Sequence, residues 1–219
     1  MTYSVSNTEP HIEHHVAHHF DTSEQEFNAA KLGMWVFLVQ EVLFFGGLFV
    51  AYAFFKSLYP EMFIEAHKQL SWKMGALNTC FLIFSSFTMV MGVREAQLNR
   101  RRSSIRYLMA TFCLASAFMV VKYFEYSAKI HHGYLPAEWF FGEGTNQTLP
   151  IFFGLYFALT GLHGLHVLVG MGLIAWLIYR SMKGEFHEKF YTPLEMVGLY
   201  WHLVDLIWIF LFPLLYLVG

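Results

Sequence analysis

Two polar side chains that could do chemistry, His202 and Asp205, lie in the last apolar segment of the chain, within residues 200–208 (YWHLVDLIW). Their spacing of three residues places an imidazole and a carboxyl group on one face of a helix. Such groups can bind a metal, relay a proton or hydrogen-bond to a neighbouring helix. A carboxylate in mid-membrane costs about 2.5–3.5 kcal/mol on insertion scales, so we expect Asp205 to face protein rather than lipid.

Two earlier apolar segments carry matching polar residues. His163 and His166 lie within residues 160–167 (TGLHGLHV), and Glu41 interrupts another long apolar run. At the rise of an α-helix Glu41 is about 15 Å from Lys31, which puts it close to the midplane of a bilayer. Five residues on three helices therefore form a predicted buried polar layer: Glu41, His163, His166, His202 and Asp205.

Three interpretations of this layer remain open. It can be structural, with carboxyl and imidazole groups bonding across helices at roughly 0.6–2 kcal/mol each. It can hold haem or a metal ion. The Glu-x-x-His pairs of helical di-iron proteins are absent, however, and a haem bound by His163 or His166 would need His202 as its second ligand. It can relay protons or a substrate. The structural interpretation is favoured, and we assign no catalytic, cofactor-binding or metal-ligating residue.

The composition requires a membrane around these groups. Of 219 residues, 56% are hydrophobic and only 14% are charged, which is more apolar surface than a water-soluble domain of this size can cover. The formal net charge of −2 provides no basic face for nucleic acid. Cys80 and Cys113 both fall in apolar segments, so we expect no disulfide bond.

The apolar runs predict an all-α integral membrane bundle with five transmembrane helices. Residues 1–29 are expected to form a flexible, histidine-rich cytoplasmic tail, and residues 30–219 the membrane domain. The helices are predicted at about residues 31–57, 72–97, 105–130, 149–181 and 193–218.

Two charged residues, Lys122 and Glu125, interrupt the third of these segments. Glu125 lies about 28 Å along a helix from Arg106, so it should be close to the opposite membrane interface. Lys122 can then extend outward and pair with Glu125 at a spacing of three residues. An interfacial ion pair is favoured over a buried functional one.

Lysine and arginine residues are concentrated on one side of the bundle. Because cytoplasmic loops carry the excess of basic residues, we expect a cytoplasmic N-terminus and an external C-terminus. The densest basic cluster follows the second segment, and its side chains are expected to contact lipid headgroups: Arg94, Arg100, Arg101, Arg102 and Arg106.

Four sequence motifs resemble subunit III of the haem–copper respiratory oxidases, the family represented by cytochrome c oxidase. They are residues 37–45, which include QEVLFF, then FEY at 124–126, TGLHGLHV at 160–167 and YWHLVDLIW at 200–208. Their order and spacing agree over roughly residues 30–218. Many members have seven helices, and this chain is similar to the last five of them, as in the five-helix bacterial form.

The resemblance implies a non-catalytic accessory subunit of a proton-pumping terminal oxidase, most simply an aa3-type cytochrome c oxidase. Such a subunit contacts subunit I, assembles with subunit II and small subunits, binds phospholipid and supports proton uptake in the bacterial inner membrane. Haems and copper would belong to partner subunits, and the electron donor would be cytochrome c or quinol. The alternatives are a quinol oxidase or nitric oxide reductase partner and, more distantly, a free-standing haem-binding membrane protein.

Overall fold

A computed structural model describes residues 22–134, 148–186 and 190–217, and these residues fold into α-helices joined by short turns. A short helix, α2 (Pro60–His67), follows the first span, and a π-helical turn, Pro213–Leu217, extends the last one. Among the described residues, five helices are long and apolar enough to cross a membrane, which confirms the predicted all-α bundle: α1 (Ser23–Leu58), α3 (Trp72–Gln97), α4 (Arg101–His131), α5 (Leu149–Lys183) and α6 (Thr192–Phe212).

Two helix ends differ from the prediction for local reasons. Helix α1 begins at Ser23 instead of residue 31, because the Thr22 hydroxyl accepts a hydrogen bond from the Gln25 amide at 3.1 Å and caps the first turn. Part of the predicted tail is therefore helical, and residues 1–21 lie outside the described residues. At the other end, Pro213 has no amide hydrogen, and the α-helical pattern changes to a π-turn there.

Helices α3 and α4 form an antiparallel hairpin. Asn99 turns the chain between them with a left-handed φ of 58°, a conformation that asparagine tolerates better than most residues. Two polar contacts then hold the helices together. The Ser104 hydroxyl donates to the Gly92 carbonyl at 2.8 Å, and the hydroxyls of Thr88 and Thr111 lie 2.8 Å apart.

Helix α6 lies at the centre of the bundle and packs against α1, α3 and α5. The indole rings of Trp201 and Trp208 are fully buried in these contacts. Each indole N–H donates to a hydroxyl on α3 at 3.1 Å, Trp201 to Ser85 and Trp208 to Thr79. Trp208 follows Trp201 along α6, whereas its partner Thr79 precedes Ser85 along α3. The two helices are therefore antiparallel.

Helices α5 and α6 approach each other closely at Gly170. A Cβ atom at this position would lie only 2.7 Å from the Trp201 ring, closer than carbon atoms pack. Gly172, one half-turn away on α5, has no other atom within 4 Å of its Cβ position. The missing side chain of Gly170 therefore allows the indole ring to fit against the α5 backbone.

We predict that Gly170→Ala destabilises the chain by about 1–3 kcal/mol, because the added methyl group must displace a fully buried indole ring. Thermal unfolding in detergent measures the effect. Gly172→Ala on the same helix is the control and should leave the transition unchanged or raise it slightly. Equal unfolding temperatures for the two variants would contradict this packing argument.

Candidate functional site

The five residues of the predicted polar layer do not form one network. They occupy three places in the bundle: a contact between α1 and α5, an aromatic enclosure among α4, α5 and α6, and a groove between α3 and α6. A fourth polar cluster joins Lys122 and Glu125 of α4 to the C-terminal turn. Only the Lys122–Glu125 pair of this cluster was expected, at the membrane interface.

The first place joins Glu41 to His166. The imidazole Nε2 of His166 lies 3.1 Å from Oε2 of Glu41, and its Nδ1 lies 2.7 Å from the carbonyl oxygen of Leu162. The hydroxyl of Tyr200 donates to the His166 carbonyl at 2.9 Å, which connects α6 to the same turn of α5. Both side chains of the pair remain partly exposed at the outer surface of the bundle.

The hydrogen bonds of His166 define how many protons this pair holds. A carbonyl oxygen can only accept, so Nδ1 carries a hydrogen toward Leu162. In a neutral imidazole Nε2 is then an acceptor, and the hydrogen in the contact must come from a protonated Glu41. The alternative is a doubly protonated imidazole facing an ionised carboxylate. In both states the pair shares one proton and is neutral overall.

The second place encloses His163. Its side chain is fully buried, with the Phe118 ring edge-on at 5.7 Å between centroids and the Trp208 ring at 5.2 Å. Neither ring nitrogen has a hydrogen-bond partner among the described residues. Among the described residues, no group of three or more His, Cys, Asp or Glu side chains is placed to hold a metal ion.

The third place, the groove between α3 and α6, contains His202 and Asp205. His202 Nδ1 lies 2.7 Å from the Ser86 hydroxyl on α3. The carboxyl group of Asp205 is buried beside it, and the same Ser86 hydroxyl is the polar group that acts on its oxygens. His202 and Asp205 therefore share a helix face, as their spacing predicts, but do not bond to each other.

The predicted ion pair of α4 forms, but it faces the protein interior. Lys122 Nζ lies 2.9 Å from Glu125 Oε2, and Lys122 is only 7% exposed. The outward-extending lysine was therefore the wrong prediction. The cause is the turn after Pro213, which brings the Tyr216 hydroxyl within 2.8 Å of Lys122, while the Trp208 ring lies 4.5 Å below the ammonium group.

Tyr216 closes a three-membered polar cluster. It accepts from Lys122 and donates to Glu125 Oε1 at 2.6 Å, so each member of the cluster contacts the other two. Its hydroxyl also lies 3.2 Å from that of Tyr156 on α5. Sequence analysis missed Tyr216; a tyrosine three residues after a helix-ending proline was the available signal.

The five arginines expected at lipid headgroups differ in their contacts. Arg101 Nε donates to the Ser181 carbonyl at 2.7 Å and ties α4 to the end of α5, while its side chain remains exposed. Arg100 lies 3.8 Å from Glu95, and Arg106 donates to the Ser103 hydroxyl at 3.1 Å. The other two, Arg94 and Arg102, are exposed at the same end of the bundle.

Comparison with known proteins identifies the chain independently of this geometry. The family model described as cytochrome c oxidase subunit III matches residues 13–219. The chain is 34% identical over 188 residues to cytochrome c oxidase subunit 3 of Thermostichus vulcanus, covering 85% of this chain and 86% of that protein.

Quinol oxidase subunits are also among the similar proteins. The probable quinol oxidase subunit 3 of Staphylococcus saprophyticus is 28% identical over 206 residues, which are 94% of this chain and 96% of that protein. The cytochrome bo(3) ubiquinol oxidase subunit 3 of Pseudomonas putida is 27% identical over 188 residues, with 86% and 85% of the two chains covered.

The Tyr216 cluster leads to a first prediction for the site. Tyr216→Phe should lower the free energy of unfolding by about 1–3 kcal/mol, because it leaves Lys122 and Glu125 each without one buried hydrogen bond. Thermal unfolding in detergent checks this. Tyr123→Phe, on the exposed face of α4, is the control and should change nothing; an equal loss in the control would refute the role of the cluster.

The Glu41–His166 contact leads to a second prediction. Glu41→Gln should keep the free energy of unfolding within about 0.5 kcal/mol, because the amide can donate to Nε2 in place of a carboxyl group. Glu41→Leu should cost about 1–3 kcal/mol, because it leaves Nε2 without a partner. Thermal unfolding of the two variants in one detergent compares them. Equal stability of the Leu and Gln variants would show that the contact is dispensable.

Proposed function

The chain belongs to the cytochrome c oxidase subunit III family of the haem–copper oxidases, and on that basis we propose that it is the accessory third subunit of an aa3-type cytochrome c oxidase. The complex would reduce O2 to water and pump protons across a bacterial cytoplasmic membrane. The observation that carries this proposal is the family match over residues 13–219. The 34% identity to a cytochrome c oxidase subunit supports cytochrome c as the donor.

In this role the chain would perform no redox chemistry itself. Haems and copper would be held by the partner subunits, with subunit I in direct contact and subunit II and small subunits completing the complex. The five spans support a scaffolding role, because their outer faces carry many large apolar side chains that lipid or partner helices must cover. N-terminus inside and C-terminus outside is the orientation that the basic residues favour.

We infer that phospholipid covers part of this surface. The exposed apolar side chains of α1 suit acyl chains, and the exposed guanidinium groups of Arg94, Arg102 and Arg106 suit anionic headgroups. Arg101 is exposed as well, and only its Nε is used by the bond to Ser181. Support of proton uptake would involve Glu41 and His166, whose shared proton lies at a partly exposed surface.

A quinol oxidase is the second candidate. The relatives from Staphylococcus saprophyticus and Pseudomonas putida have names of that type, and the first aligns with 94% of this chain. The fold and the polar contacts described above are compatible with either electron donor. The two candidates differ in the substrate of the intact complex.

We predict that the chain, purified in mild detergent from its own membranes, brings with it haem-containing subunits. The absorption spectrum of the eluate should show haem a, and the complex should oxidise reduced cytochrome c. Oxidation of quinol but not of cytochrome c would favour the second candidate. A colourless eluate that contains this chain alone would overturn both.

A further inference from the structure

The part of α1 nearest to α2, residues 48–58, is joined to the rest of the bundle mainly through one side chain. Val50, Phe54 and Leu58 are each more than half exposed, whereas Tyr52 is 3% exposed. All residues of this stretch are described, and Tyr52 is the one whose side chain is buried. The position of the whole stretch therefore depends on what Tyr52 contacts.

Tyr52 contacts both the C-terminal turn and α2. Its hydroxyl donates to the Leu214 carbonyl oxygen at 2.5 Å. Leu214 lies in the π-helical turn, and carbonyl groups in the last turn of a helix lack donors from that helix. The Tyr52 ring packs edge-on against Phe63 of α2 at 5.0 Å between centroids, and Phe63 packs in the same way against Phe152 of α5 at 5.2 Å. Residues 48–58 and α2 are thus seated together.

The hydrogen bond determines this position more than the apolar contacts do. Inside a bilayer an apolar side chain loses little when it exchanges a protein contact for a lipid contact, because lipid chains are as apolar as the protein surface. A carbonyl oxygen that loses its donor finds no replacement in lipid. The contact of Phe63 with Phe152 can therefore be given up at low cost, and the bond from Tyr52 to Leu214 cannot.

A glycine pair, Gly46 and Gly47, directly precedes this stretch. Neither glycine has another atom within 4 Å of its Cβ position, so close packing does not account for the missing side chains. Glycine weakens a helix, and glycine-containing pairs are among the sites at which long helices bend. Before the pair, α1 is fixed by the contact of Glu41 with His166 and by the buried ring of Phe45. The pair thus separates a fixed part of α1 from a lightly held one.

We propose that residues 48–58 and α2 form a movable arm, which bends at Gly46 and Gly47 and is latched closed by the hydrogen bond from Tyr52 to Leu214. The structure shows the closed arm, with α1 helical through the glycine pair. Loss of the latch lets the arm exchange its apolar contacts for lipid while the first part of α1 stays in place.

The arm covers a functional feature of the bundle, the C-terminal turn. Tyr216 in this turn pairs with Lys122 and Glu125, and opening of the arm uncovers the turn that holds it. The moving unit ends at Gln69, whose carbonyl accepts from Lys129 at 3.4 Å. The latch therefore controls access to the buried charged cluster from the α2 end of the bundle.

Thiol labelling of the full chain in detergent measures how often the arm opens. With Cys80 and Cys113 replaced by alanine, Met62→Cys places a thiol under α2 and Met89→Cys places one in the core of the bundle; both methionines are 0% exposed. A membrane-permeant maleimide reacts with a buried thiol only after opening, so the labelling rate follows the open population. Position 62 should react faster than position 89. Equal rates would overturn the movable arm.

Tyr52→Phe tests the latch, because it keeps the ring and removes the hydroxyl. The labelling rate at position 62 should rise roughly threefold to tenfold, the effect of one hydrogen bond, while the rate at position 89 stays the same. Tyr123→Phe, on the exposed face of α4, is the control and should change neither rate. An unchanged rate at position 62, or an equal rise at both positions, would refute the latch.

Replacement of both Gly46 and Gly47 by alanine tests the hinge. Alanine fits at both positions and stiffens the helix, so the labelling rate at position 62 should fall roughly tenfold, also when Tyr52→Phe is present. Gly33→Ala is the matched control, since Gly33 also has open space around its Cβ position but lies in the first part of α1. If Gly33→Ala slows labelling as much, or if the double variant does not slow it, the hinge is wrong.

Discussion

The absence of water in a lipid bilayer is the constraint on which this structure depends. A polar group inside a membrane span must find its partner in protein, because lipid chains cannot replace the lost hydrogen bonds. The two carboxyl groups Glu41 and Glu125 obey this rule within the chain, one through His166 and the other through Lys122 and Tyr216. In both contacts the carboxyl group is paired within the membrane span.

Helix α6 and its C-terminal turn contribute one side chain to each of these contacts, Tyr200 beside His166 and Tyr216 beside Lys122. Trp208 packs against the His163 ring and lies below Lys122, so one indole ring contacts both buried polar groups. The π-turn that follows adds Tyr216 to the same cluster. Residues distant in sequence, from α4, α5 and the C-terminal segment, are thus joined through a single aromatic surface.

Sequence could predict the helices but not their rotation. Apolar run lengths located all five spans, because the bilayer thickness sets a minimum length for each. The spacing of Lys122 and Glu125 also predicted their ion pair correctly. The direction of the lysine depended on Tyr216, which lies 94 positions away, and no local pattern shows that contact. For the same reason Glu41 and His166 were expected at one depth, but not as a pair.

A polar group that lies beside a groove can be as enclosed as one in the core. His163 is surrounded by Phe118 and Trp208, and neither of its ring nitrogens has a hydrogen-bond partner among the described residues. The carboxyl oxygens of Asp205 have no accessible surface either, although the groove between α3 and α6 lies beside them, and the Ser86 hydroxyl is the polar group that acts on them. In both places the helices exclude lipid and water from the polar atoms, so the groups that stabilise those atoms must come from within the bundle.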